Sequence, residues 1–144
     1  MDKAAIGKEI GPFSYVTWER KIKQFVDTTG DTNPLYTDET FAGNTKHKGT
    51  IIPPAMANAY FVGMPIWSVI EVCNMDRARG LHAEQEYEFL KPIKPCTLLS
   101  TYYKIVDVFE KRGLGFAVVE GITKDEHGDI VLKGKITLIE RGKE

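Results

Sequence analysis

The side chains best suited to acid–base chemistry are concentrated in a segment of ten residues, from Thr29 to Asp38. It holds two carboxylates, an amide, a proline and a phenol, and Gly30 stands directly before Asp31. A carboxylate in a glycine-bounded turn can act as a general base toward water or an α-proton. Aspartate in a turn also commonly accepts hydrogen bonds from its own backbone, and the residues alone favour that structural role. Both interpretations of Asp31 stay open at this point.

Other kinds of site lack the residues that they need. Asp31 and Asn33 resemble the start of a calcium loop, but Leu35 and Tyr36 stand where a further ligand and a glycine are required. The segment 113–115 lacks the third glycine of a dinucleotide-binding turn. No serine elbow or cysteine–histidine signature occurs, and the three histidines are isolated in sequence: His47, His82 and His127. The sequence therefore predicts no metal and no cofactor.

The residues before the candidate turn have the spacing of an amphipathic helix. Thr17 is of the type expected at an N-cap, and the apolar residues that follow share one face: Trp18, Ile22, Phe25 and Val26. We predict a helix that ends near Thr29, with Gly30 as its left-handed stop and with its aromatic residues in the core. The residues up to Val16 predict an edge strand. Asn33 before Pro34 predicts a short helical turn, and Thr37 predicts a second one that ends at Gly43, before an exposed loop.

A longer helix is predicted from Pro54 to Cys73, where the residues are apolar almost all round. A helix that is apolar on every side is buried, either in a membrane or in the centre of a domain. Polar residues and Gly63 interrupt the run, and Pro65 is expected to kink or end the helix. We therefore predict a central core helix and no membrane span.

After Gly80 the pattern changes to a period of two, in which apolar residues alternate with charged ones: Leu81, Ala83, Gln85, Tyr87 and Phe89. Turn residues then separate three further β-rich segments, so the C-terminal part of the chain predicts an antiparallel meander of about four strands. A buried helix before such a meander indicates an α+β hot-dog fold, an antiparallel sheet wrapped around a long central helix. Joining two such sheets edge to edge in a dimer covers their open edges.

The composition predicts one domain spanning residues 1–144. A formal net charge of -1 argues against a nucleic acid or an anionic membrane as partner, because either would need a basic face. Cys73 and Cys96 form no metal spacing and suit a reduced, cytoplasmic protein. The N-terminus lacks the apolar core of a signal peptide.

The run from Thr28 to Asp38 shares its pattern with a known superfamily, as do five further segments: Ile52–Met56, Leu81–Phe89, Lys91–Pro95, Tyr103–Gly113 and Gly128–Leu138. It resembles the signature loop of MaoC-like (R)-specific enoyl-CoA hydratases. The N-terminal, fatty-acid-synthase-type dehydratase branch of that superfamily is the closer match. The resemblance covers nearly the whole chain and implies the hot-dog fold.

The resemblance implies a lyase of fatty-acid metabolism that interconverts trans-2-enoyl and (R)-3-hydroxyacyl thioesters, usually of coenzyme A. In active members an aspartate and a histidine position the water and move its proton, while a backbone N–H polarises the thioester carbonyl. Asp31 corresponds to the aspartate, and the amide of Ala55 corresponds to the oxyanion donor at the start of the Pro54 helix. Asn33 is expected to fix the loop around Asp31.

The chain departs from the pattern at the histidine position, which holds Tyr36, and at a glycine position after Pro95, which holds Cys96. A phenol donates hydrogen bonds but is a poor proton shuttle near neutral pH. In this branch a tyrosine there often accompanies a second hot-dog domain or subunit that is catalytically complete. The resemblance therefore implies an acyl-CoA thioester substrate and a homodimer or heterodimer of hot dogs, or a higher oligomer.

Residues at the start of the long helix are candidates for the wall of an acyl pocket: Pro54, Met56, Ala57, Tyr60, Phe61 and Met64. Core packing is the alternative role for the apolar ones. His82 is a candidate surrogate for the missing histidine. Three functions follow, because a fold alone does not fix function: a hydratase or dehydratase subunit, a non-catalytic acyl-CoA-binding hot dog in which Asp31 is structural, or a hot-dog thioesterase.

Overall fold

The computed structural model describes residues 1–63 and 65–142, and its main element is an antiparallel sheet. The strands are β1 (Glu9–Val16), β2 (Gly80–Phe89), β3 (Leu98–Lys111), β4 (Leu114–Lys124) and β5 (Ile130–Glu140). They lie in the order β1-β3-β4-β5-β2. The predicted N-terminal edge strand is confirmed, because β1 lies at one end of this order and pairs with β3.

Helices occupy the segments between β1 and β2. They are α1 (Glu19–Thr29), α2 (Glu39–Gly43) and α3 (Pro65–Val72). Shorter helical turns occur at Lys3–Ala5, Pro34–Tyr36, Pro54–Met56 and Asn58–Val62. The α+β class is confirmed, with a helical segment against one face of a single sheet.

The ends of α1 and α2 differ in part from the prediction. Trp18, not Thr17, is the N-cap of α1, because Thr17 is fully buried and donates through Oγ1 to the Lys94 carbonyl at 2.9 Å. The predicted core position of Trp18 is wrong, since 55% of this residue is exposed. Gly30 has a φ of 67°, which confirms the left-handed stop. The predicted N-cap of α2 is also wrong, because the side chain of Asp38, one residue later, caps that helix.

The helix predicted from Pro54 to Cys73 is interrupted at Pro65, as expected, but its first part is not a regular α-helix. The segment is divided into a 3₁₀ turn (Pro54–Met56), a π turn (Asn58–Val62) and α3. In the π turn the N–H of Gly63 donates to the carbonyl of Asn58 at 3.2 Å. Pro65 starts α3, as expected of a residue that has no N–H to continue the preceding turn.

In the described part of the chain, no single helix is long and apolar enough to span a membrane. Two helices that are bent relative to each other, residues 54–62 and 66–72, meet the requirements of length and composition only as a combined segment. The largest side chains of this pair that are buried lie in the core against the sheet, among them Met56, Tyr60, Phe61 and Val69. The predicted central position of this segment is therefore confirmed.

The predicted meander is correct for β3, β4 and β5 but wrong for β2, which pairs with β5 at the far edge of the sheet. The linker between β2 and β3 contains Pro92 and Pro95, which lack the N–H groups that a continued hairpin ladder needs. The β3–β4 connection is a tight turn, as predicted. Arg112 and Gly113 there have φ values of 54° and 74°, and positive φ at both central residues defines a type I′ hairpin.

A bulge between His82 and Glu84 changes the faces at the start of β2. His82 lies opposite Leu138, whose side chain is buried, whereas Leu81 is 50% exposed. A shift of one residue moves each side chain to the other face of a sheet. Of the residues predicted to face inward, Gln85 and Tyr87 are partly buried, whereas Leu81 and Phe89 are 50% and 44% exposed, so the predicted alternation is wrong at those two positions.

Phe61 is the centre of the core. Its fully buried ring lies over Gly121 and Gly134, which are paired neighbours on β4 and β5. A Cβ atom built on Gly134 would lie 2.6 Å from Cζ of Phe61, and one on Gly121 would lie 2.7 Å from it. Tyr103 and Tyr87 continue the same row, with ring centroids 5.1 and 5.4 Å from that of Phe61. The two glycines thus make room for the ring that anchors the π turn to the sheet.

The outer face of the sheet carries a row of charges that alternate in sign across all strands: Glu9, Lys104, Glu120, Lys135 and Glu86. Opposite charges on directly paired residues attract, and Nζ of Lys135 lies 3.0 Å from Oε1 of Glu86. An open groove of about 960 Å³ lies over this row. None of the predicted site residues in the described part of the chain lines this groove, so it is separate from the candidate chemistry.

Thr101 and Thr123 form a buried hydroxyl pair between β3 and β4, with 2.9 Å between their Oγ1 atoms. Thr101→Val is expected to lower the free energy of unfolding by about 2 kcal/mol, because it leaves the other hydroxyl buried and unpartnered. The double variant Thr101→Val/Thr123→Val should recover most of this loss, since both partners are then apolar. Denaturant unfolding of the wild type, the two single variants Thr101→Val and Thr123→Val, and the double variant measures the coupling between the two hydroxyls. Purely additive losses of stability would contradict the pairing.

Candidate functional site

The segment after α1 is a series of turns capped by side chains. Oδ1 of Asp31 accepts a hydrogen bond from the N–H of Asn33 at 2.9 Å, and Oδ1 of Asn33 accepts one from the N–H of Leu35 at 3.1 Å. The predicted helical start at Asn33 and Pro34 is confirmed. Asp31 and Asn33 are exposed, whereas Tyr36 is half-buried against the core. Within the described residues, Asp31 uses only Oδ1 in side-chain hydrogen bonds.

Two backbone hydrogen bonds hold the residues just before the central helical segment, one from these turns and one from the linker between β2 and β3. The carbonyl of Leu35 accepts from the N–H of Ile51 at 3.3 Å, and the carbonyl of Ile93 accepts from the N–H of Ile52 at 2.9 Å. The chain then enters the Pro54–Met56 turn. The structure therefore joins the Pro34–Tyr36 turn and the Ile93 segment to the residues that precede the Pro54–Met56 turn.

Ala55 is exposed at the second position of the Pro54–Met56 turn. The N–H groups of a first helical turn have few acceptors within the helix. The N–H of Met56 bonds back to the carbonyl of Pro53 at 3.0 Å, which is the i to i+3 bond of a 3₁₀ turn. The N–H of Ala55 precedes this bond and is not among the backbone donors with a turn or loop acceptor in residues 1–63 and 65–142. Its role in catalysis stays a prediction.

A cavity of about 240 Å³ lies beside this turn. Most of the side chains that line it are apolar, and the lining residues are His47, Ile51, Ile52, Pro54, Tyr60 and residues 89–93. With about 30 Å³ for each water-sized group, the cavity accommodates about eight of them, which is the size of a short acyl chain. Pro54 and Tyr60 are the predicted pocket residues that line it.

Tyr60 stands out in this wall because its hydroxyl is buried. The residue is 2% exposed, and Oη has no hydrogen-bond partner among the described residues. Burial, with smaller effects from Tyr87 and Tyr15, raises the pKa of Tyr60 far above its ordinary value. The side chain is therefore a neutral phenol that can donate one hydrogen bond and accept others.

His47 also lines the cavity, although it stands apart in the sequence from the other candidate residues. Its N–H donates to Oγ1 of Thr45 at 3.2 Å, and its carbonyl accepts a hydrogen bond from Nζ of Lys94. The same Nζ donates to the carbonyl of Gly49 at 3.2 Å. Lys94 thus connects the loop that contains His47 and Gly49 to the linker between β2 and β3. No local sequence signal predicts this contact, because it joins residues far apart in the chain.

A known protein family matches nearly the whole chain. The family model described as the FAS1-like, dehydratase domain region matches residues 4–133. The chain belongs to this family. The resemblance inferred from the Thr28–Asp38 run is thereby confirmed.

Relatives and solved structures agree with this assignment. The UPF0336 protein of Streptomyces coelicolor is 26% identical over 147 residues, which cover 100% of this chain and 97% of the relative. Among solved structures, the monoamine oxidase regulatory protein of Archaeoglobus has a TM-score of 0.82 at 21% identity, with 96% of this chain and 92% of that chain covered. At such identity the similarity concerns the fold.

Two further structures have the same fold. The R-hydratase PhaJ1 from Pseudomonas aeruginosa has a TM-score of 0.73 at 18% identity and covers 96% of this chain and 83% of its own. The HadBC (3R-hydroxyacyl-ACP dehydratase) complex from Mycobacterium tuberculosis has a TM-score of 0.78 at 17% identity, with 94% and 96% covered. The hot-dog fold of this FAS1-like dehydratase-region protein is confirmed.

The remaining predicted pocket residues have other surroundings. Met56 and Ala57 are buried in the core, and Phe61 is packed on the sheet glycines. Met64 lies outside the described residues. His82 is exposed on the edge strand β2 and does not line the cavity beside Pro54–Met56. The structure thus brings His47, and not His82, to this cavity.

The described part of the chain contains no cluster of metal-ligating side chains. No group of three or more His, Cys, Asp or Glu side chains is close enough to hold a metal ion, within residues 1–63 and 65–142. The candidate site is therefore described by its protein groups: the Asp31 carboxylate, the Ala55 amide, the Tyr60 phenol and the apolar wall.

Proposed function

We propose that this chain is the acyl-binding subunit of an enoyl-thioester hydratase or (R)-3-hydroxyacyl-thioester dehydratase, a lyase, and that a second hot-dog subunit supplies the catalytic histidine. The observation that carries the proposal is the apolar cavity beside the Pro54–Met56 turn, next to a segment that has Tyr36 at the histidine position. Membership of a dehydratase-region family supports the reaction class.

Hydration of a trans-2-enoyl thioester forms a bond between the oxygen of water and C3. The electrons of the C2–C3 double bond move toward the thioester oxygen, and C2 then takes a proton. The reaction needs an oxyanion donor, a base for the water and an acid for C2. This chain keeps Asp31 and the N–H of Ala55, but Tyr36 is not a proton shuttle near neutral pH. The proposed partner, with a complete aspartate–histidine pair, performs the proton transfers.

The cavity is the contribution of this chain to substrate binding. Its wall is mainly apolar, as expected for a pocket that takes a hydrocarbon chain, and Pro54 places it next to the helical turn. Tyr60 and His47 add two polar groups to that wall. Acyl-CoA thioesters are the proposed substrates, and free Cys73 and Cys96 suit the reducing cytoplasm in which we propose that the subunit works.

The sheet offers two edges for association with the partner. β1 and β2 are the outermost strands, and each has a neighbour on one side only. Pairing at such an edge satisfies backbone groups that would otherwise face solvent. The HadBC complex, which shares this fold, is an example of a dehydratase described as a complex. These observations support the proposed dimer of hot dogs, with a homodimer or a higher oligomer as alternative assemblies.

The proposal is tested by assaying a short trans-2-enoyl-CoA with the purified chain, alone and mixed with a hot-dog protein encoded by a neighbouring gene. Activity is expected only in the mixture, and Asp31→Asn should change it by less than about twofold, because the partner carries out general acid–base catalysis. Equal activity of the chain alone, abolished by Asp31→Asn, would contradict the assignment as the supporting subunit.

A second candidate function is non-catalytic acyl-CoA binding. The observation that favours it is the use of Oδ1 of Asp31 to cap its own turn, which gives this carboxylate a structural role. Retained binding of acyl-CoA, together with inactivity of the chain both alone and in the mixture, would support this function over the first.

A further inference from the structure

The outer face of the sheet is open in the described part of the chain. All the residues that line the groove of about 960 Å³ on this face belong to strands, and every strand contributes to it. The face is not uniformly polar. Tyr102, which is 41% exposed, and the half-buried Ile122 lie on it beside the charged row. A surface that combines ordered charges with exposed apolar groups can bind another protein surface.

The charged row on this face has one member on each strand. Its sign changes at every step, from Glu9 on β1 through Lys104 on β3, Glu120 on β4 and Lys135 on β5 to Glu86 on β2. Neighbouring strands are about 4.8 Å apart, so a matching surface must present opposite charges at that spacing. A second copy of this sheet does so, because a shift of the row by one strand reverses every sign.

Symmetry determines which residues of two copies meet. A two-fold axis parallel to the strands places each row over the same row of the other copy in reversed strand order. An axis through a strand would bring like charges together. An axis between β3 and β4 instead places Lys104 of each copy over Glu120 of the other, and Glu9 over Lys135. Sheets packed face to face are about 10 Å apart, a distance that lysine and glutamate side chains can bridge from both sides.

Apolar pairs favour this axis over one between β4 and β5. On β4 the buried residues alternate with Phe116, Glu120 and Ile122, so these three share the outer face. Tyr102 is paired with Ile122, and Phe109 with Phe116, whose ring centroid is 4.8 Å away. The axis between β3 and β4 places both pairs over their own copies, apolar against apolar. The other axis would place Ile122 over a lysine of β5 and remove that charge from water without a partner.

We propose that two copies of this chain associate through their outer sheet faces about the axis between β3 and β4. The contacts of Lys104 with Glu120 and of Glu9 with Lys135 each occur twice, once on either side of the axis. This surface is neither the acyl cavity nor a sheet edge, so the contact is independent of the proposed function. Together with edge pairing, it joins smaller assemblies into larger ones.

The test is the mass in solution, measured by sedimentation at one protein concentration, of the wild-type chain, Glu120→Lys and Lys104→Glu. Each reversal brings two pairs of like charges together, because the axis repeats it. Self-association should therefore weaken at least about a hundredfold, and each variant should have at most half the mass of the wild-type assembly. An equimolar mixture should regain the wild-type mass, since the two introduced charges then face each other. Mixing does not repair the Lys104–Glu120 neighbours within either chain, so recovered fold stability cannot explain this result.

Glu86→Lys is the matched control, because Glu86 belongs to the same row but has no facing residue about this axis. It should keep the wild-type mass, and circular dichroism with thermal melting checks that every variant is folded. Dissociation by Glu86→Lys would overturn the axis between β3 and β4. A wild-type chain no heavier than folded Glu120→Lys, or a mixture of folded variants that stays dissociated, would overturn the association itself.

Discussion

Gly134→Ala is expected to lower the free energy of unfolding by about 3 kcal/mol, because overpacking of a filled core forces side chains and backbone to move. The new Cβ would lie 2.6 Å from Cζ and 2.8 Å from Cε1 of Phe61, and 3.0 Å from the carbonyl oxygen of Glu86. The ring has no free direction in which to turn, since Tyr87 and Tyr103 pack against it. Denaturant unfolding with circular dichroism measures the loss.

Gly43→Ala is the matched control, because nothing lies within 4 Å of a Cβ at that position and its φ is not in the left-handed region. This change should leave stability unchanged or raise it by up to about 1 kcal/mol, because Gly43 is the last residue of α2 and alanine is favoured over glycine in a helix. Adding Phe61→Leu to Gly134→Ala should produce a coupling of at least about 1 kcal/mol, since the shortened side chain relieves the contact. A neutral Gly134→Ala variant, or additive losses in the double variant, would show that the ring does not rest on this glycine.

Tyr36→His is expected to raise the hydratase activity of the chain alone by about a hundredfold or more, the typical contribution of a positioned acid–base group. The physical reason is that, under the proposed function, Asp31 and the N–H of Ala55 are the remaining groups of the site. Asp31 uses only Oδ1 in its turn within the described residues, and the Ala55 turn is joined to the same segment through the bond between Leu35 and Ile51. An imidazole would restore the missing proton shuttle. Turnover of a short trans-2-enoyl-CoA measures the gain.

Two further variants separate this gain from a change in binding. Tyr36→Phe keeps an aromatic ring but adds no titratable group, so its activity should equal that of the wild-type chain alone. Asp31→Asn combined with Tyr36→His should lose the gain, because the imidazole then lacks its carboxylate partner. A well-folded Tyr36→His variant that stays inactive would show that this loop no longer holds the catalytic geometry.

Local signals in the sequence were sufficient for the elements that depend on neighbours in the chain. The left-handed stop at Gly30 and the turn at Asn33 and Pro34 follow from backbone conformations and caps that involve only nearby residues. The hairpin at Arg112 and Gly113 is of the same kind. Family resemblance added the fold and the expected site, and the match over residues 4–133 confirms the family.

Features set by distant contacts could not be predicted in this way. The pairing of β2 with β5 depends on where a linker crosses the sheet, and the register shift between His82 and Glu84 has no glycine or proline to mark it. The position of His47 beside the cavity depends on Lys94, which belongs to another part of the chain. The lack of a hydrogen-bond partner for the Tyr60 hydroxyl within the described residues likewise depends on neighbours from distant parts of the chain.

The strand order has a consequence for biosynthesis. The three adjacent strands β3, β4 and β5 come last in the sequence. Two of them, β4 and β5, carry the glycines against which Phe61 packs. Because synthesis runs from the N-terminus, the apolar segment from Ile51 to Val72 leaves the ribosome before the surface that buries it has been made. Chaperone protection during translation, rather than the stability of the finished protein, is therefore the step at which we expect this fold to be most vulnerable.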